Sequence, residues 1–166
     1  MLPVFARLVL VMLILLGSAA VRAAEPPAAA EPVMKVVYHA DFADPRRFSA
    51  MLTSINNMVT TYQDNLQEYD VRIVFVAHGI RFVTADPLTG TPFMEDAALN
   101  ARRKELLERL KSLQTTQGVK LELCGITREQ VRLDPAKLLP GVELVPSGVV
   151  RSAELQHQGF AYLKIE

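Results

Sequence analysis

Short apolar runs of strand character alternate with longer amphipathic runs of helix character from residue 34 onward, and this alternation restricts the fold more than any other feature of the chain. The most telling run is VRIVFVA, Val71 to Ala77. It is almost continuously apolar, as a strand covered by helices on both faces has to be. Lys35–His39, Val119–Cys124, Val142–Val145 and Phe160–Ile165 read as four further strands. Between the first two, Asp44 and Pro45 supply an N-cap and a proline suited to the first helical position. Phe48, Met51, Leu52, Ile55, Met58, Val59, Tyr62 and Leu66 then recur at helical spacing. A second helix is predicted from about Asp96, with Leu99, Leu106, Leu107, Leu110 and Leu113 on one face and Gly118 past its end. Thr127-Arg128-Glu129-Gln130 matches a capping box and predicts a short helix starting at Thr127. Val149 to Gln158 is the last helix. The expectation is an α/β domain of three layers, α/β/α, with a mainly parallel five-stranded sheet.

The segment before this domain has a different character. Arg7 is followed by the apolar run Leu8 to Leu16, then small residues, and Val21-Arg22-Ala23 fits a cleavage pattern. Residues 1–23 therefore read as a secretory signal peptide and 24–33 as a Pro/Ala-rich linker, with the domain at 34–166. The protein is expected to be exported, to a periplasm, with no membrane attachment once the signal is removed. Removal takes Arg7 and Arg22 from the 18 basic residues and nothing from the 18 acidic ones, leaving 16 against 18. No basic patch emerges, and a nucleic-acid partner is not expected. The chain has one cysteine, Cys124, which in an oxidising compartment is free, capped or joined to another molecule.

In parallel sheets, ligands bind beyond the carboxyl ends of the strands. The residues at those ends are His39, then His78-Gly79, then Cys124-Gly125, then Ser147-Gly148. Two histidines and the sole thiol are thus predicted along one edge. Within the third strand, Val119, Leu121 and Leu123 point one way, while Lys120, Glu122 and Cys124 point the other. The thiol is off the leucine face, so it is expected to meet a pocket, a loop or a subunit contact. A helix start just beyond it, with Arg128 in the first turn, favours the thiolate; Glu122 and Glu129 oppose it. A zinc site from Cys124, His39 and His78 would lack any short-range ligand spacing. A Cys-His hydrolase would need an orienting Asn or Asp as well, and nothing like a nucleophile turn surrounds Cys124. No glycine-rich dinucleotide or phosphate loop is present. No metal and no organic cofactor are expected.

Several stretches in their order carry a resemblance. A strand leading into His78-Gly79 is followed by VKLELCG, by LLPGVELVPSGVV and by LQHQGFAYLKI. Their most specific parts are Leu123-Cys124-Gly125, Val145-Pro146-Ser147-Gly148-Val149 and Gln158-Gly159-Phe160-Ala161-Tyr162. In this pattern the chain resembles the DsrE/DsrF-like family over residues 34–166. The resemblance implies a three-layer α/β fold, assembly into homotrimers or homohexamers, and a link to sulfur metabolism. It also implies that Cys124 carries sulfur as a persulfide between the thiols of donor and acceptor proteins, as a sulfur carrier or sulfurtransferase would. His39, His78, Gly79, Gly125, Arg128, Ser147 and Gly148 are expected to shape the pocket. The alternative is a non-catalytic small-ligand-binding or assembly module in which Cys124 is structural.

Overall fold

The computed structural model describes residues 32–166. The signal segment 1–23 and almost all of the linker 24–33 lie outside them. In chain order the main elements are β1 (Met34–Ala40), α1 (Pro45–Asp64), β2 (Tyr69–Phe75), α2 (Ala97–Gln117) and β3 (Lys120–Cys124). Then come α3 (Gly125–Gln130), β4 (Val142–Val145), α4 (Gly148–His157) and β5 (Ala161–Leu163). The strands form one sheet in the order β4-β3-β2-β1-β5, and every pairing is parallel. The sheet edge β1–β5 joins Val36 to Ala161.

Strand periodicity sorts the side chains onto two unequal faces. Tyr38, Ile73 and Leu121 stand in one row across three strands and meet the apolar stripes of α1 and α2. This is the main core, closed by Phe48 stacked on Phe82 with ring centroids 4.0 Å apart. The other face is covered by α4 over a smaller cluster of Val37, Val74, Leu155 and Phe160. Asp44 caps α1 by accepting from the Arg46 N–H at 2.7 Å, and Gly118 ends α2 in a left-handed conformation (φ 68°).

Strand β2 ends two residues earlier than its apolar run suggests. Ala77 adopts a left-handed φ of 50° and turns the chain into a 3₁₀ helix, Ala77–Phe82, which contains His78 and Gly79. The long segment that follows is fastened to α2. Arg103 donates from Nη1 to the carbonyls of Arg81 and Thr84 at 3.0 and 2.7 Å and pairs with Glu95. Arg81, itself buried, pairs with Asp96 at 3.0 Å. Arginine forks of this kind satisfy loop carbonyls that a helix or strand would otherwise have to bond.

Candidate functional site

Strand β3 delivers Leu121 and Leu123 to the main core and Glu122 and Cys124 to the α4 face, as the alternation requires. Cys124 is the last strand residue and also the N-cap of α3. It is nevertheless buried, with 4% of its surface exposed. Its cover is the start of α4. Gly148, the first residue of that helix, lies so close that a Cβ there would stand 3.1 Å from the Cys124 Cβ and 2.5 Å from Val76 Cγ2. Gly125 meets the end of β4 in a similar way: a Cβ would fall 3.1 Å from the Val145 carbonyl oxygen. Ser147 caps α4, its hydroxyl accepting from the Val150 N–H at 3.4 Å.

The sulfur thus lies where the starts of two helices converge. Burial pushes the Cys124 thiol up. The N–H of Gly148, the N–H and hydroxyl of Thr127 and the N–H of Ile126 favour the thiolate and outweigh burial, so the thiol sits below its ordinary value. Gly148→Ala is expected to lift α4 off the sulfur. It should cost about 1–3 kcal/mol of stability by overpacking and raise the thiol pKa. Thermal unfolding and the pH dependence of thiol alkylation read the two effects separately.

The predicted strand-end residues are only partly brought together. Cys124, Gly125, Ser147 and Gly148 converge. Arg128 turns away from the sulfur, donating to the Leu133 carbonyl at 3.1 Å and pairing with Glu129. His39 is aligned with Val74 and Glu122, a full strand away from Cys124, and its Nδ1 meets the Tyr162 hydroxyl at 2.7 Å. Burial lowers its pKa, Asp41 raises it and Lys164 lowers it, for a net fall. His78 packs edge-on against Phe93 with centroids 5.0 Å apart. Gly79 is pressed against the end of β1, where a Cβ would collide with the Ala40 carbonyl oxygen at 2.0 Å. Among the described residues, no three of His, Cys, Asp and Glu gather in an arrangement suited to a metal ion.

The capping box predicted at Thr127 is corrected. Helix α3 begins two residues earlier, at Gly125, and Thr127 is buried inside it. Its hydroxyl accepts from the Ala77 N–H at 3.0 Å while it also favours the Cys124 thiolate. A side chain taken up by another element is unavailable to cap its own helix.

Sequence reasoning also missed a charge cluster two residues before the sulfur. Glu122, with 1% of its side chain exposed, accepts from Arg151 Nε at 2.7 Å, Arg151 Nη2 at 2.9 Å and Arg72 Nη1 at 2.9 Å. Arg72 also binds Asp70 with both ends of its fork, and Lys120 reaches Asp70 at 3.0 Å. The available signal was Arg72 itself, a charge interrupting the apolar run Val71–Ala77 and in register with Lys120 of β3.

The model of the DsrE/DsrF-like family matches residues 33–165. No curated protein sequence matches the chain. Among solved structures, the chain is similar to the protein of unknown function MTH1491 from Methanobacterium thermoautotrophicum. The identity is 24%, over 79% of this chain and 98% of that one, with a TM-score of 0.56. It is also similar to the ychN protein from E. coli, at 20% identity over 80% of this chain and 99% of that one, with a TM-score of 0.49. The likeness to MTH1491 supports the parallel α/β fold.

Proposed function

The chain belongs to the DsrE/DsrF-like family, and from that premise we propose that it binds or relays sulfur through Cys124. The observation that carries this reading is the placement of the sole thiol under converging backbone N–H groups that favour its anion. The chemistry is thiol exchange. The Cys124 thiolate attacks the outer sulfur of a donor persulfide. The donor S–S bond breaks, a new S–S bond forms on Cys124, and the donor leaves as a thiolate that takes up the proton Cys124 has lost. An acceptor thiolate then attacks the same outer sulfur and returns Cys124 to its thiolate. No net oxidation occurs, and the chain's own residues supply only the thiolate and its hydrogen-bond donors.

Ile126, at the start of α3, and Val149 and Val150, at the start of α4, are exposed apolar residues on the two segments flanking the sulfur. They suit contact with a partner protein or another copy of the chain, in keeping with a homotrimer or homohexamer. The N-terminal sequence 1–23 supports action outside the cytoplasm. The burial of Cys124 favours a second reading, a binding or assembly module with a structural cysteine. Mass spectrometry of the intact protein after exposure to polysulfide decides between them. A relay protein gains about 32 Da, one sulfur atom, and Cys124→Ser gains nothing. No gain in the parent protein, or a gain that persists in Cys124→Ser, would sink the relay. In protein isolated from its own cells, the same spectrum should show a chain beginning at Ala24 if the signal segment is removed.

A further inference from the structure

The α4 face of the sheet is held differently from the other. Its buried apolar cluster is small, and Leu155 is its one buried residue from α4. Arg151, one turn after Gly148, instead grips the Glu122 carboxylate with two nitrogens. Glu122 in turn stands two residues before Cys124 on the same side of β3. One rigid strand therefore carries both the sulfur and the anchor for the helix that covers it. Bidentate pairing fixes orientation as well as distance, and Gly148 allows an approach that any side chain would prevent.

We propose that the Glu122–Arg151 pair is a positioning device for Cys124, holding the first turn of α4 so that the Gly148 N–H stays on the sulfur. The inference rests on the reading of Cys124 as the sulfur carrier, but its test requires no sulfur donor. The charged and titratable groups on this face are Lys35, His39, Asp70, Arg72, Lys120, Glu122 and Glu143 from the sheet, with Arg151 and Glu154 from α4.

Electrostatics and positioning predict opposite signs for Glu122→Gln. Removing a negative charge from the strand face lowers the thiol pKa by charge alone. Releasing α4 removes a hydrogen-bond donor from the thiolate and raises it. The thiol pKa of the folded full chain is read from the ultraviolet absorbance of the thiolate and from the pH profile of alkylation, with Cys124→Ala as the blank. The expected result for Glu122→Gln is a rise of about half to one pH unit, equivalent to a roughly three- to tenfold smaller acid dissociation constant for the thiol. Arg151→Lys keeps the charge but loses the fork, and it should move the pKa in the same direction. A fall or no change in Glu122→Gln overturns the proposal. So does an unchanged thiol in Arg151→Lys, even with a lower melting temperature, because that pattern belongs to a purely structural pair. If Glu122→Gln does not fold, Arg151→Lys decides alone. Sulfur loading can fail while these shifts appear, or succeed without them, so the two ideas are tested apart.

Discussion

Gly79→Ala is expected to destabilise the fold by about 3 kcal/mol or more, at the upper end of the range for overpacking. The added methyl would stand 2.0 Å from the Ala40 carbonyl oxygen and 3.0 Å from its carbon. Both are backbone atoms, so no rotamer change relieves the collision. The same carbonyl accepts the Val76 N–H at 2.9 Å where β1 and β2 finish their pairing. Moving it breaks that bond and disturbs two central strands together. Thermal unfolding should show a midpoint lower by about 10 °C or more. A shift of only a few degrees in Gly79→Ala would show that the 3₁₀ helix can rise off β1 at little cost.

Glu122→Ala should cost about 3 kcal/mol, the lower end of the range for breaking a buried ion pair. The lower end applies because the partners are not stranded. Arg72 keeps both bonds to Asp70, and Arg151 keeps Glu154 at 3.8 Å. The acid dependence adds a sign. Burial pushes the Glu122 carboxyl up, but Arg151 and then Arg72 outweigh it and hold it below the ordinary carboxylate range. A carboxylate whose folded pKa is lowered contributes stability above its unfolded pKa and loses it as pH falls through the folded value. The parent protein should therefore lose this contribution on acidification below the ordinary carboxylate range. Glu122→Ala should show a shallower decline there, with the gap between the two narrowing. Denaturant unfolding across that pH range measures it, and a gap that stays constant would contradict the assignment.

The fold was legible in the sequence because its signals are local. Asp44 and Asp96 cap the helices they precede, Gly118 closes the helix it follows, and Val142–Val145 is the strand its composition suggests. The alternation in Lys120–Cys124 also placed Cys124 opposite the leucines. What stayed hidden depends on contacts between distant segments. Thr127 reads as a cap until Ala77, from another element, is seen to donate to its hydroxyl. Val76 and Ala77 are as apolar as the strand before them, so composition could not show that Ala77 leaves the sheet. His39 does lie at the end of β1 and His78 just past β2, but strand ends set positions rather than directions, and His39 faces Tyr162 while His78 faces Phe93. Glu122 looked like a charge opposing the thiolate. Its meaning changed once Arg72 and Arg151 arrived from β2 and α4.

The pairing of β1 with β5 has a consequence for how the chain is made. Synthesis proceeds from the N-terminus, so Val36, Val37 and Tyr38 exist long before their partners Ala161, Tyr162 and Leu163. One side of the first strand therefore keeps its N–H and C=O groups unpaired until residues 161–163 have been made. Unpaired edges of this kind recruit other chains. The growing chain can therefore misassemble along β1, and a surface shielding residues 34–40 would guard that edge until β5 arrives.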